Sequence, residues 1–152
     1  IYQEETGKYF LIFHTRFESR GEQHEVRVHQ MFLNEDGWFV VAPYRYVGET
    51  IGTYTEEDII GAYKAINHQK DISPKVKQSV NIVLQEDHTV IGDMDGTWEL
   101  KGENDLILTI DEVTYKGVFL EQWDEYGLKN VMTFSVLSEE GISIWGSGYE
   151  AK

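Results

Sequence analysis

The sequence predicts an all-β protein: an antiparallel barrel of about eight strands preceded by a three-stranded antiparallel sheet. Three observations carry that reading. Aromatic residues make up 13% of the 152 positions while prolines number only 2. Short alternating apolar stretches recur throughout, each bounded by Gly, Asn or Asp. From residue 61 onward eight such stretches fit into about 90 residues with two- to four-residue turns between them, the pattern of a meander that loses its edges when it closes.

In chain order, KYFLIFHT (8–15), EVRVHQMFL (25–33) and WFVVAPY (38–44) are strand-length runs rich in β-branched and aromatic residues. Asn34-Glu35-Asp36-Gly37 is a hairpin turn, since Gly37 can take the positive φ the turn needs. All three strands are apolar on both faces, so this sheet needs neighbours. Val47 to Gly52 is the linker candidate, dividing the chain into segments 1–47 and 50–152. Thr55-Glu56-Glu57-Asp58 places an N-cap and three acids where a helix begins, but Gly61 keeps that helix short. The predicted barrel strands are 61–68, 79–86, 89–92, 96–101, 105–110, 113–122, 130–138 and 141–147. Glu86-Asp87-His88 and Gly102-Glu103-Asn104 are typical of the turns that join them.

Charge narrows the function classes. Thirteen basic against 27 acidic residues give a net charge of −14, which repels nucleic acid and anionic membrane surfaces alike. No stretch approaches the roughly 18 to 20 apolar residues of a spanning helix. IYQEETGKYF at the start lacks the basic and apolar regions of a signal peptide, so any export signal is expected upstream. With no cysteine there is no disulfide framework, thiolate metal site or cysteine nucleophile. All four Arg lie in the first 50 residues (Arg16, Arg20, Arg27, Arg45), where the net charge is −3 against −11 for the remainder. Arg suits planar paired contacts, so the first segment is expected to pack against something.

Candidate chemistry is sparse. His14 and His29, on neighbouring strands, are weighed as a shared ion site, against the simpler reading that the histidines are structural. His14 and Arg16 share a strand face with Phe10 and Ile12, which makes them the best cavity-adjacent pair. The acid pairs Asp93/Asp95, Asp111/Glu112 and Asp124/Glu125 read as solvated turns, and Asp93-x-Asp95 lacks the Gly and distal Glu of a calcium loop. Trp98, Trp145 and Phe119 are expected in the core, while Trp123 is the tryptophan expected to be partly exposed and able to meet a ligand. G-x-S-x-G, P-loop and G-x-G-x-x-G motifs are all absent from the sequence.

HQMFLNEDGWFVVAPYRYVGE (29–49), GTWEL (96–100), YKGVFLEQWDE (115–125) and TFSVLSEEGISIWGS (133–147) together resemble the C-terminal end of endo-arabinanases of glycoside hydrolase family 43. The resemblance runs along nearly the whole chain. It implies that residues 8–44 are later strands of the last blade of a five-bladed β-propeller, and that 50–152 form the small lipocalin-like barrel that follows it. Phe39 stands where the family often has Pro, a departure that leaves the assignment intact.

The resemblance also implies what this chain lacks. The family's Asp general base, Glu general acid and orienting Asp come from earlier blades, and its metal-binding His, often serving calcium, would fall just before Ile1. No catalytic residue, metal ligand or cofactor is therefore expected here. The implied partners are the remainder of the propeller or another copy of the chain, through residues 8–44, and an arabinan oligosaccharide. The parent enzyme is expected to be extracellular. The rival expectation is a free-standing barrel holding a small ligand, which requires an open interior rather than one filled by side chains.

Overall fold

The computed structural model describes residues 1–16, 21, 23–70 and 76–149. A four-stranded antiparallel sheet in the order β1-β2-β3-β4 comes first, formed by β1 (Tyr2–Gln3), β2 (Lys8–Arg16), β3 (His24–Leu33) and β4 (Phe39–Val41). It has one strand more than the three expected. Two residues are too few to carry an alternating pattern, so β1 has no sequence signature; it is held instead by pairing with β2, by a hydrogen bond from the amino terminus to the Phe10 carbonyl (2.7 Å) and by the Tyr2–Tyr9 ring contact. The β3–β4 turn is the expected one. Gly37 adopts φ +80°, and the Asn34 side-chain oxygen accepts from the Asp36 and Trp38 N–H groups. Beyond Val41 the chain leaves the regular ladder yet stays beside β3, with Ala42 N–H donating to the Gln30 carbonyl and Tyr46 N–H to that of Val28.

The single-turn helix α1 (Glu56–Ile59) opens the second part. The Asp58 carboxylate accepts from the Thr55 N–H at 2.8 Å, and Ile60 returns to extended backbone, ending the helix ahead of Gly61. Eight strands follow: β5 (Gly61–Asn67), β6 (Val80–Leu84), β7 (Thr89–Gly92), β8 (Gly96–Lys101), β9 (Asp105–Ile110), β10 (Val113–Asp124), β11 (Lys129–Ser138) and β12 (Ser143–Gly148). Each pairs with its sequence neighbour, and β12 pairs with β5 to close the barrel.

Inward positions fill the barrel with side chains. Tyr63, Ile82, Leu84, Trp98, Phe119, Phe134 and Ile144 are all essentially inaccessible to solvent. The polar tips inside find partners: the Trp98 indole N–H donates to the Gln85 carbonyl, and the Tyr63 hydroxyl to that of Ile59. Trp145 departs from the expectation of a core residue. Ile144 and Gly146 point inward, so Trp145 between them lies on the outer wall, half-buried.

On β10 and β11 the outward positions Val118, Leu120, Gln122, Val131, Thr133 and Ser135 are also buried. They are covered because β4 lies against β11 and β3 approaches β10. The consecutive apolar run Val118-Phe119-Leu120 is the sequence's trace of this arrangement, for only a strand covered on both sides dispenses with alternation.

Candidate functional site

The most elaborated polar region is the seam between sheet and barrel. Gln122, on the outer wall of β10, accepts from the Tyr44 N–H at 3.0 Å and donates to the Tyr44 carbonyl (3.1 Å) and to the Glu49 carboxylate (2.9 Å). One buried amide thus satisfies the backbone of the segment that leaves the sheet. The Tyr44 hydroxyl is hydrogen-bonded to Ser147 on β12 (2.8 Å), and the Asn34 amide donates to the Lys116 carbonyl (3.2 Å).

Charge reinforces the same seam. Arg27 Nη1 meets Glu125 Oε1 and Arg45 Nε meets Glu125 Oε2, both at 2.8 Å, so one carboxylate on the barrel is clasped by two arginines of the N-terminal segment. The Arg27 hydrogen bond holds the Glu125 carboxyl below its ordinary 4.5, and Arg27 is raised in turn. At the other end of the seam Lys116 and Lys101 pair with Glu35 and pull its pKa down, Lys116 first. Arginines fastening the first segment were expected, and Arg27 and Arg45 do so; Arg16 donates to His24 across its own hairpin, and Arg20 falls outside the described residues. Glu125 corrects the reading of Asp124/Glu125 as a solvated turn pair, because its carboxylate is mostly covered by the two arginines.

Replacing Glu125 by Gln is expected to cost about 1–3 kcal/mol, less than for a fully buried pair because solvent reaches its edge. Its folded pKa is depressed, so the stabilisation is present above about pH 4.5 and is lost as acid protonates the carboxylate. Urea unfolding of the variant at neutral pH checks this; a loss under about 0.5 kcal/mol would mean the clasp is merely solvated.

Between the charge clusters sits an aromatic contact. His29 is buried, its Nδ1–H donating to the Ala42 carbonyl at 2.7 Å, and its ring lies over Trp145 with centroids 6.3 Å apart. His68 meets Trp145 edge-on at 4.3 Å. Burial lowers the pKa of both histidines.

His29 and His14 do not share an ion site. Their pairing partners Leu11 and Val26 place them at positions of opposite parity, hence on opposite faces of the β2–β3 ladder. His14 and Arg16 are exposed instead of facing a cavity. The His14 ring lies 5.1 Å from that of His24, and His24 Nε2 accepts from Arg16 Nε at 3.2 Å. The polar end of that strand is thus satisfied by its hairpin partner. Among the described residues no group of three or more His, Asp or Glu side chains could hold a metal ion.

Among the described residues, two of the clefts beside the seam contain an accessible tryptophan. One, about 420 Å³, runs along β12 and β5 beside Tyr44, Trp145 and Tyr149. Several of its polar groups are already engaged: Tyr44 with Ser147, Tyr149 with Asn81, and Lys64 over the Tyr149 ring. The other, about 460 Å³, lies between residues 47–54 and the ends of β10 and β11, with Trp123, Glu121 and Asn130 on its wall. Trp123 is 38% exposed, as its place at a strand end suggests.

Sequence reasoning did not find Gln122, Tyr44 or Glu125. The available signal was a polar Gln and an acid ending a β10 run that is apolar on both faces, which marks a covered wall without saying what covers it.

Known proteins agree with this architecture. The chain is 56% identical over 146 residues to extracellular endo-alpha-(1->5)-L-arabinanase 2 of Bacillus subtilis, a match covering 96% of the chain and 31% of that protein. It is 51% identical over 149 residues to the extracellular endo-alpha-(1->5)-L-arabinanase of Thermotoga petrophila, again 31% of the relative's length. The crystal structure of the glycoside hydrolase family 43 YxiA protein from Bacillus licheniformis superposes with a TM-score of 0.96 at 50% identity, covering 99% of this chain and 34% of that one. The Thermotoga petrophila endo-1,5-alpha-L-arabinanase gives 0.95 at 50% identity with the same coverage. The chain therefore spans about a third of the length of these relatives. Residues 43–146 match the family's own C-terminal lipocalin-like domain, and the chain belongs to glycoside hydrolase family 43 as its C-terminal part.

Proposed function

We propose that this chain is the C-terminal accessory part of a secreted, arabinan-hydrolysing enzyme, with residues 1–47 continuing a propeller blade and the barrel of 50–152 bracing it. The observation that carries the proposal is a sheet fastened along one edge and apolar on both faces. Ile1, Ile12 and Val26 are exposed on one face; Tyr2, Leu11, Leu33 and Phe39 are exposed on the other. Burying four such side chains is worth on the order of 6–12 kcal/mol, comparable with the whole stability of a domain, so a partner should cover them. The relatives are named as extracellular arabinanases and extend well beyond the matched part, which supports the remainder of a propeller as that partner. The barrel's filled interior favours bracing over the holding of a small ligand.

Under this reading the catalytic acid and base, and any calcium ligand, belong to sequence outside the chain, and neither His14 nor Arg16 takes part in the chemistry. The test is to produce the first two-thirds of the Bacillus subtilis relative separately, mix it with this chain, and follow release of reducing ends from linear arabinan. The chain alone should show no turnover, and the two parts should co-sediment with activity above that of either. Turnover by the chain alone that is abolished by changing one of its own Asp or Glu residues would overturn the proposal, as would failure of the two parts to associate.

A further inference from the structure

From the cleft at the ends of β10 and β11 we infer a second site, a surface subsite for a neutral oligosaccharide centred on Trp123. This rests on the reading of the chain as part of a carbohydrate-degrading enzyme only for the choice of sugar. The site itself follows from the pleat. Gln122 is turned outward into the seam and consumed there by Tyr44 and Glu49, so its neighbours Glu121 and Trp123 project together to the opposite side. Asn130 pairs directly with Trp123 across the ladder and shares that side. Same-face neighbours on a strand stand about 6.5–7 Å apart and direct cross-strand partners about 4.5–5.5 Å apart, spacings that match the width of one sugar ring.

The chemistry of the three side chains is that of carbohydrate recognition. A sugar ring offers an apolar face of C–H groups and a periphery of hydroxyls that both donate and accept. Trp123 supplies an accessible indole with no aromatic neighbour among the described residues, unlike Trp145, which is held by His29 and His68. The Glu121 carboxylate accepts and the Asn130 amide does both. Among the described residues neither side chain has a hydrogen-bond partner, whereas Tyr54 and Glu49 behind them are fixed, the Tyr54 hydroxyl accepting from the Gly52 and Glu121 N–H groups and Glu49 from the Val47 N–H and Gln122. The cleft thus has an ordered back wall and an uncommitted front, the arrangement of a preformed polar-and-aromatic ligand site.

Charge decides which sugars. Glu121 and Glu49 border the cleft, no Lys or Arg among the described residues lines it, and the chain carries a net charge of −14. An acidic polysaccharide is repelled, and a neutral one is not. Linear arabinan is the neutral polymer named for the relatives' activity, and is the first ligand to try. A subsite on the accessory part would hold polymer beside the enzyme and raise its effective concentration.

Affinity electrophoresis of the 152-residue chain in gels containing linear arabinan, with polygalacturonate gels for comparison, tests the inference. Retardation is expected in arabinan alone. Trp123→Ala should weaken it about tenfold or more, with Glu121→Gln and Asn130→Ala each weakening it severalfold, while Trp123→Tyr retains part and Trp38→Ala, an exposed tryptophan elsewhere, changes nothing. Amide shifts on adding arabino-oligosaccharide should cluster at residues 49, 54, 121, 123 and 130. Equal retardation of Trp123→Ala and the parent chain, loss on Trp38→Ala, or no retardation at all would overturn the inference. These readouts need no catalytic partner, so failure here leaves the bracing test untouched, and failure of the bracing test leaves this one standing.

Discussion

Phe134→Ala is expected to cost the chain about 3–5 kcal/mol, the usual loss when a fully buried aromatic is cut back to a methyl. Phe134 has no solvent exposure and sits in the barrel between Tyr63, ring centroids 5.4 Å apart, and Phe119, 6.2 Å away edge-on. It also occupies the space above Gly146, where a Cβ would come within 2.1 Å of its ring. Its neighbours Tyr63, Phe119 and Gly146 stand on paired strands of the closed barrel, which limits how far they can move in to fill the void. A domain of this size is stable by about 5–15 kcal/mol, so the variant should lose a large share of its margin. The midpoint of urea unfolding measures it, with Leu33→Ala on the exposed sheet as a control expected within about 0.5 kcal/mol. A loss below about 1.5 kcal/mol would show an interior loose enough to admit a ligand, and would revive the barrel as a container.

That container was the rival reading of the sequence, and the sequence could not decide it. The number and order of the barrel strands were legible because turns such as Glu86-Asp87-His88 and Gly102-Glu103-Asn104 break the alternation at short, regular intervals. Whether eight strands enclose space or side chains depends on how Phe119 and Phe134, 15 residues apart in the chain, meet across the β10–β11 hairpin, which no local pattern records. Trp145 was misplaced for a related reason. A tryptophan in mid-strand is ordinarily buried by its own sheet, but here it is shielded by His29 from the other one.

The seam was legible only in outline. Arginines confined to the first segment and apolar residues on both faces of its strands announced a packed surface, yet the residues that complete it, Gln122, Glu125 and Ser147, are polar side chains at strand ends indistinguishable from solvated ones. In the sequence His14 and Arg16 stand out as a polar pair on an apolar strand face. Their partner His24 is eight residues beyond Arg16, across a hairpin, a relation that depends on register rather than on composition. Register also separates His14 from His29, since a shift of one residue exchanges the faces of a strand.

Gly117→Ala should be the most damaging single-methyl change in the barrel, and its sign discriminates between two accounts of why a glycine stands in mid-strand. If Gly117 were only a weak strand former, Ala would stabilise the chain by about 0.5–1 kcal/mol through the entropy of the unfolded state. The structure assigns it a different role. A Cβ at Gly117 would lie 1.8 Å from the Ser135 carbonyl oxygen and 2.7 Å from Val136 Cα, both backbone atoms of β11. The added methyl therefore has no flexible side chain to displace. Gly96 shows the same relation to the Thr109 carbonyl at 1.8 Å on the β8–β9 pair, so two of the ladders close up where a side chain would otherwise stand, as strands do when they coil to close a small barrel. Accommodating the methyl means separating β10 from β11, the longest ladder among the described residues and the one whose outer wall carries Gln122 and the seam. The expected cost is about 3 kcal/mol or more, a fall of about 10 °C in the thermal midpoint for a chain of this length, and it should loosen the sheet's attachment together with the barrel. An unchanged or raised midpoint would show that the two backbones can part at this point without strain, and that closure of the barrel does not depend on the missing side chain.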